Sequence, residues 1–183
     1  MSAEEKQKIY AQMLENEDII RDRYLCLVQQ YKNPMVLGKL RQVLFEKFGA
    51  DYVFTPIVTL MEWFKNEFMK WSYEDTLRRY NFIPTLLETR VGRCGEWAIL
   101  FTGFCIAAGF RARLVLDFTD HVWTEIIEYG NTGGHWVHVD STLDTNSGLN
   151  NPFIYQDVWK KPLSKILAFE SHQVVDVTER YKH

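Results

Sequence analysis

The hydrophobic pattern of the chain changes its period at Gly109, and this change constrains the fold more than any other feature. Before it, apolar residues recur at steps of three and four, which predicts helices. After it, five segments are typical of strands: 111–118, 121–129, 134–140, 166–169 and 174–177. Helices followed by neighbouring strands are typical of α+β domains with an antiparallel sheet.

Three amphipathic helices are predicted in the first part of the chain. Apolar residues of the first recur at steps of three, four or seven, which predicts one helix over 3–33 that ends at Pro34. Its apolar stripe packs either on the body of the protein or on a partner helix. No Gly/Ser/Pro-rich linker divides the chain, so we expect one domain over 1–183, with the 1–33 helix packing on the core or extending from it.

The second and third helices are marked by their ends. The second ends at Gly49, a residue type that favours helix C-termini. The third begins with Thr55 as N-cap and Pro56 at the first helical position, and it should finish near Trp71. Residues 72–81 then form a short polar connection.

Charge and composition exclude several partners and sites. The net charge of −3, with acids and bases mixed along the chain, gives no basic stripe, so nucleic acid is not an expected partner. The polar start and the lack of a long apolar run predict neither a signal peptide nor a membrane span. The three cysteines form no Cys-x-x-Cys pair, which predicts no zinc site. This pattern is typical of a reduced protein of the cytoplasm, or also of the nucleus.

Cys94 stands at the start of an apolar predicted helix. Gly92 and Gly95 flank it, and the apolar run 97–108 is followed by Gly109, a typical residue just past a helix end. A cysteine at a helix N-terminus faces unpaired backbone N–H groups and the positive end of the helix dipole, which favour the nucleophilic thiolate. A lone cysteine is otherwise a small buried apolar residue, but the flanking glycines and the helix start favour a nucleophile here.

Two neighbouring strands each present one polar and aromatic face. These faces hold His121, Trp123 and Glu125 on the first strand, and Trp136, His138 and Asp140 on the second. The apolar residues opposite suit the core, so we expect the helix end bearing Cys94 to pack against the polar faces. A thiol needs a base within hydrogen-bond reach, and the base needs a third group to orient it. Cys94, His121 and Asp140 are therefore predicted as nucleophile, general base and orienting carboxylate for attack on an acyl carbon.

Each member of this triad also has a purely structural interpretation. A histidine on a strand face is more often a surface or core residue, and Asp140 before Ser141 and Thr142 is also typical of a turn or a helix cap. His138 is a second candidate base. It lies two positions from Asp140 on the same strand, so the two side chains point outward in parallel, a poor geometry for one to orient the other.

Six blocks of the sequence follow one another in an order that points to a family. They are Met-Glu-Trp-Phe-Lys-Asn-Glu-Phe-Met-Lys-Trp at 61–71, Leu-Leu-Glu-Thr-Arg-Val-Gly-Arg-Cys-Gly-Glu-Trp at 86–97, and the segments 120–125, 135–141, 152–155 and 174–177. Together they resemble the catalytic core of cytoplasmic peptide:N-glycanases, members of the transglutaminase-like superfamily. The resemblance implies an α+β fold with a transglutaminase-like (papain-like cysteine hydrolase) core, in which N-terminal helices precede an antiparallel sheet.

The resemblance also implies a reaction. It is hydrolysis of the β-aspartyl-glucosamine amide of misfolded N-linked glycoproteins, a quality-control step that releases the glycan and converts asparagine to aspartate. On the matching positions, Cys94 is the nucleophile, His121 is general base and then acid, and Asp140 orients His121. The positions implied to hold the sugar core are Trp71, Trp123, Glu125 and Trp136. Indoles stack on apolar sugar faces and a carboxylate accepts hydroxyl hydrogen bonds, although a tryptophan is more often a core residue.

The chain departs from the family pattern at one place. Zinc-binding Cys-x-x-Cys pairs lie in the family between the segments that match Trp71 and Leu86, whereas residues 72–85 hold no cysteine or histidine. We therefore expect no metal and no cofactor. The expected partners are a denatured N-glycoprotein or glycopeptide and, as in some relatives, an adaptor of the ubiquitin-receptor or proteasome type.

Two further functions stay open. The same scaffold suits a cysteine peptidase or a transglutaminase-like acyl transferase, although the Trp-rich blocks favour the glycanase. A non-catalytic binding module of the same fold, as in DNA-repair relatives that have lost the triad, is the alternative from another class. A Cys94 thiol that is unreactive at neutral pH would favour the binding module.

Overall fold

The helices come first in the chain, as the apolar spacing predicts. The computed structural model describes residues 1–183. Its α-helices are α1 Ala3–Glu15, α2 Glu17–Val28, α3 Pro34–Phe48, α4 Ile57–Trp63, α5 Ile83–Thr89, α6 Cys94–Ala107, α7 Thr145–Gly148 and α8 Ile154–Asp157. A π-helical turn, Phe64–Phe68, continues α4, and three short 3-10 segments cover Gln29–Lys32, Tyr52–Phe54 and Thr178–Arg180. None of the helices combines the length and apolar character needed to cross a bilayer.

The prediction of one continuous helix over 3–33 is wrong. The helix breaks at Asn16, whose backbone leaves the helical region at φ −104° and ψ 25°. Its side-chain Nδ2 donates to the carbonyl oxygen of Gln12 at 2.7 Å, and asparagine is a residue type whose side chain competes with helical backbone hydrogen bonds. The two halves also differ in packing: α1 has no buried residue, whereas α2 contacts the sheet. The first half therefore touches the core only at Met13, whereas the second half packs on it.

The third helix also differs from its prediction at both ends. Pro56, not Thr55, is the N-cap, and its ψ of 148° places it outside the helix. Beyond the π-helical turn, Trp71 lies in a short strand, β1 Lys70–Trp71. This strand pairs in parallel with β2 Val91–Gly92, with Trp71 opposite Gly92. The pairing brings the indole next to the start of α6.

The strands predicted after Gly109 are confirmed as one antiparallel sheet. Its members are β3 Ala112–Asp117, β4 His121–Gly130, β5 Gly133–Val139, β6 Ile166–Glu170 and β7 Gln173–Asp176. They lie in the order β5-β4-β3-β6-β7, and every neighbouring pair is antiparallel. Gly109, at φ 98°, follows the end of α6 as expected. The α+β class predicted from the sequence is therefore correct.

Both faces of the sheet are covered. The helices pack on one face, where Thr102 of α6 shares a hydrogen bond of 2.8 Å with Thr124 of β4. The other face is covered by the C-terminal cluster, which we define as Val115, Trp123, Ile154, Tyr155, Leu163, Ile166, Ala168, Val177 and Tyr181. The expectation that the helix end bearing Cys94 packs against the polar faces holds only at His121, because the body of the apolar α6 buries its surface against the apolar face.

Candidate active site

A cleft of about 540 Å³ lies where the start of α6 meets the start of β4. Its lining residues are Lys65, Trp71, Tyr73, Arg79, Arg93, Cys94, Trp97, Asp120, His121, Thr142 and Trp159. They come from the π-helical turn after α4, β1, the 72–81 connection, the start of α6 with the residue before it, the β3–β4 turn, the start of β4, and the segments after β5 and α8. The cleft therefore depends on both layers of the fold.

Cys94 is the first residue of α6, as predicted. Arg93 precedes it in extended backbone, and the backbone N–H of Arg93 donates to Oε2 of Glu96 at 3.0 Å. Gly92 lies so close to Glu96 that a Cβ at position 92 would overlap the Cβ of that side chain. The glycine thus lets β2 approach α6 closely, which fixes where Cys94 enters the cleft.

Buried Glu96 also fixes the wall of the cleft. Its side chain is 2% exposed, and the Arg79 guanidinium donates to its Oε1. The hydrogen bond and charge of Glu96 raise the pKa of Arg79. This ion pair fastens the 72–81 connection over the N-terminus of α6. On the opposite side, the Lys65 ammonium donates to the backbone oxygen of Thr142 at 2.7 Å.

His121 and Asp140 meet because their strands are antiparallel neighbours. His121 begins β4, and Asp140 follows the last residue of β5, so the two positions lie at the same end of the sheet. The distance from His121 Nε2 to Asp140 Oδ2 is 2.7 Å. Gly148 packs so tightly behind Asp140 that a Cβ there would overlap the Asp140 carbonyl oxygen. The predicted base and its predicted orienting residue are thus in direct contact.

The electrostatics of this pair favour an ionised imidazole beside the thiol. Burial acts to lower the pKa of His121, but the charge and hydrogen bond of Asp140, together with the nearby Cys94, raise it to about 9. Burial acts to raise the pKa of Asp140, yet the charge and hydrogen bond of His121 hold it well below its usual range. The site therefore stabilises a charged pair in a buried position, where electrostatic interactions are strong.

The second candidate base, His138, lies outside the cleft. Its Nε2 is 2.7 Å from the hydroxyl of Tyr155, and it is 1% exposed. Burial lowers the pKa of His138 to about 4. A neutral imidazole that does not reach the cleft cannot take the proton of Cys94.

The structure brings only one of the four predicted sugar-binding residues into the cleft. Trp71 lines it and is 39% exposed. Trp123 and Glu125 have no exposed surface, because the C-terminal cluster covers their face of β4. Trp136 lies elsewhere on the sheet, with the Arg113 guanidinium 3.8 Å from its ring centroid. The strand alternation was predicted correctly, but the cover over it was not.

Two groups of residues near the triad were not singled out from the sequence. Trp159 lines the cleft with its ring centroid 4.9 Å from that of His121, and Tyr73 also lines the cleft and is 88% exposed. Tyr155 contacts Asp140 from below the cleft, its hydroxyl 2.8 Å from Oδ2. Tyr73 and Trp159 lie in irregular segments, where no periodicity indicates a side chain's position. Tyr155 lies in the 152–155 block, the one sequence signal that points to these residues.

The donor set does not fit a zinc ion. No group of three or more His, Cys, Asp or Glu side chains in the chain is arranged to hold a metal. The 72–85 segment supplies no thiol or imidazole. The buried carboxylate of Glu96 is already paired with Arg79 of this segment.

Comparisons with known proteins show which proteins this chain is similar to. The family model described as "Transglutaminase-like superfamily" matches residues 42–141. The amidase named peptide-N(4)-(N-acetyl-beta-glucosaminyl)asparagine amidase is 48% identical in Homo sapiens over 110 residues, which covers 60% of this chain and 16% of that protein. The Oryza sativa protein of that name is 50% identical over 101 residues, 55% of this chain and 21% of its own. The chain thus matches about a sixth to a fifth of the length of these relatives.

The solved structures show the same fold in a different setting. A chain from a study of DNA duplex opening by the Rad4/XPC nucleotide excision repair complex superimposes with a TM-score of 0.66 at 15% identity, and covers 100% of this chain and 51% of its own length. A likeness at this identity concerns the fold alone. The chemistry must be argued from the residues of the cleft.

Proposed function

This chain belongs to the transglutaminase-like superfamily, and from that premise we propose that it is a cysteine amidase acting on N-linked glycoproteins. The proposed reaction hydrolyses the β-aspartyl-glucosamine bond, releasing the intact glycan and converting asparagine to aspartate. The observation that carries the proposal is that Cys94 and His121 line one cleft, with Asp140 in contact with His121 from behind it. The amidases that share 48–50% of aligned residues with the chain support the choice of substrate.

The triad supplies each step of this reaction. His121 accepts the thiol proton, and the Cys94 sulfur attacks the side-chain carbonyl carbon of the glycosylated asparagine. The C–N bond then breaks, His121 protonates the departing glycosylamine, and a thioester remains on Cys94. Water, deprotonated by His121, hydrolyses the thioester to aspartate and restores the thiol. These residues supply the nucleophile, base and acid, so we propose that the reaction uses no cofactor.

Two donors are proposed to stabilise the oxyanion that forms on the carbonyl oxygen. One is the backbone N–H of Cys94, because first-turn amides of a helix have no intrahelical acceptor. The other is the indole N–H of Trp71, which lines the cleft. Trp97 is a poorer candidate because its indole N–H already donates to the Lys70 carbonyl oxygen at 3.3 Å. Trp71 also stays our proposed sugar-stacking residue, whereas Trp123, Glu125 and Trp136 lie outside the cleft.

The proposed partners follow from this chemistry. The substrate is a denatured N-glycoprotein or glycopeptide, and an adaptor of the ubiquitin-receptor or proteasome type is the proposed delivery partner. Helix α1 offers surface for such contact because none of its residues is buried. The thiols of Cys26, Cys94 and Cys105 are all free, which supports a reducing compartment, the cytoplasm or also the nucleus. Nucleic acid and membranes are not proposed as partners.

The test uses purified protein beside a Cys94→Ala control. Both are incubated with a denatured high-mannose glycoprotein, and intact masses of protein and released glycan are recorded. We expect loss of the whole glycan and conversion of asparagine to aspartate in the wild type alone. An unchanged substrate with a Cys94 that reacts with iodoacetamide would instead favour a peptidase or acyl transferase. An unreactive Cys94 would favour the non-catalytic binding module.

A further inference from the structure

A buried chain of hydrogen bonds continues the triad beyond Asp140. The Tyr155 hydroxyl lies 2.8 Å from Asp140 Oδ2, the same oxygen that contacts His121. The same hydroxyl lies 2.7 Å from Nε2 of His138. Tyr155 and Asp140 have no exposed surface, and His138 has almost none. Water therefore does not compete for these groups.

The donor and acceptor of each of these hydrogen bonds follow from His138, the group farthest from His121. The backbone N–H of Asn151 donates to Nδ1 of His138 at 3.4 Å, so this nitrogen carries no proton. A neutral imidazole then carries its proton on Nε2, which donates to the Tyr155 oxygen. Tyr155 has a single proton, and the remaining acceptor is Asp140. The Tyr155 hydroxyl therefore donates to the carboxylate.

Asp140 is thereby held at both oxygens. Oδ2 accepts from His121 and Tyr155, and Oδ1 accepts from the backbone N–H of Thr142 at 3.0 Å and from its hydroxyl at 2.7 Å. A carboxylate with fixed donors on both oxygens has one orientation and stays ionised. The ring of Tyr155 is itself fixed, because it stacks on Trp123 with centroids 4.4 Å apart.

We propose that Tyr155 is a positioning residue of the triad: it turns the Asp140 carboxylate so that Oδ2 meets His121, and the tautomer of His138 directs the single Tyr155 proton to it. The proposal rests on the cysteine chemistry proposed above, but not on the identity of the acyl substrate.

The test compares Tyr155→Phe with Tyr31→Phe. The first removes the donor to Asp140 but keeps the ring and its stacking. The second removes another buried tyrosine hydroxyl, which donates to the Ile99 carbonyl oxygen at 2.8 Å and lies in the helix-side core, outside the C-terminal cluster that holds Tyr155. The rate of Cys94 alkylation by iodoacetamide is measured against pH, with kcat, KM and the melting temperature.

In Tyr155→Phe, we expect kcat to fall about tenfold or more with a smaller change in KM, because a hydrogen bond to a charged group is lost. The alkaline limb of the alkylation profile should move to lower pH, since a misoriented Asp140 no longer holds the imidazolium. Tyr31→Phe should keep the wild-type pH profile of alkylation, even if its melting temperature falls. Nitrogen NMR of isotope-labelled protein should show the Nε2–H tautomer of neutral His138.

Two results would overturn the proposal. The first is a Tyr155→Phe profile that keeps the wild-type pH dependence, whether or not its amplitude falls. The second is an Nδ1–H tautomer of His138. The alkylation profile needs no glycoprotein, so its outcome stands even where the wild type fails to cleave the glycan, a result that would count against the proposed substrate alone.

Discussion

Asp140, which directly follows β5, and Glu125 of β4 are two buried carboxylates that are neutralised in different ways. Each has no exposed surface, and each accepts a hydrogen bond from a buried tyrosine, Tyr155 for Asp140 and Tyr181 for Glu125. The Asp140 network adds a histidine, whose charge depends on pH. The Glu125 network instead adds two arginines, which stay charged.

This difference separates a site that exchanges protons from one that holds a permanent charge. The Arg113 guanidinium contacts Glu125 Oε2 at 2.6 Å and is 4% exposed, and Arg180 contacts Oε1 at 3.2 Å. An arginine is not deprotonated in proteins, so this ion pair has no catalytic state to change. Glu125, which the family resemblance implied as a sugar ligand, instead holds Arg113 of β3 and Arg180 near the C-terminus.

The largest expected effect is on activity in Asp140→Asn. The amide keeps the shape of the side chain but cannot stabilise the imidazolium or fix the correct tautomer, so kcat should fall by about 10⁴-fold. Amidase assays beside the melting temperature measure this. A variant that retains a tenth of wild-type kcat would place the charge of Asp140 outside the mechanism.

Glu125→Gln should show the opposite pattern. It leaves the buried guanidinium of Arg113 without a counter-charge, which should lower the free energy of unfolding by about 3–5 kcal/mol. At temperatures where the variant is folded, kcat should stay close to wild type, because Glu125 does not line the cleft. Urea unfolding tests the predicted loss of stability, and steady-state kinetics test the predicted kcat. A fall in kcat at unchanged stability would instead indicate that Glu125 binds substrate, and the Asp140 and Glu125 networks would then not differ in function.

The two networks should also respond differently to pH. The folded pKa of His121 is raised to about 9 from an ordinary value of 6.5. Its contribution to stability is therefore fully present below about pH 6.5 and is lost as the pH rises through about 9. The wild-type melting temperature and activity should both decline over this range. Asp140→Asn should lose this part of the decline, whereas Glu125→Gln should retain it.

The smallest effect is expected where the networks touch. Trp123 stacks on Tyr155 and donates its indole N–H to the Tyr181 hydroxyl at 2.8 Å. Trp123→Phe keeps an aromatic ring in the core but loses this hydrogen bond, so stability should fall by about 1–3 kcal/mol with kcat changed only a few-fold. Calorimetry and kinetics measure both. A loss of kcat as large as that of Tyr155→Phe would show that the two networks act as one.

The sequence predicted the parts of the molecule in which periodicity carries the information. The five strands and α6 follow from alternation and apolar runs, and the triad follows from two strand ends and one helix start. The break at Asn16 was missed because one polar residue does not disturb an apolar stripe on either side of it. Trp71 was misplaced because a two-residue strand has no pattern of its own.

The cover over the polar face of β4 could not be predicted for a related reason. It is built from α8, a helix of only four residues, from the turn in which Lys160 adopts positive φ, and from residues near the C-terminus such as Tyr181. Such segments are stabilised by tertiary contacts, so their sequence does not reveal their structure. Without that cover, Trp123 and Glu125 have the pattern of exposed ligands, and Tyr155 has no visible partner.

Gly92 and Gly148 have a consequence for the tolerance of the gene to mutation. Neither glycine takes part in the chemistry, yet each leaves no space for a methyl group, the first against Glu96 at the start of the Cys94 helix and the second against the backbone of Asp140. A larger residue at position 92 would push against Glu96, two residues after Cys94, and one at position 148 would push against the backbone of Asp140. A deep mutational scan scored by activity would therefore find these two positions as intolerant as Cys94, His121 and Asp140 themselves.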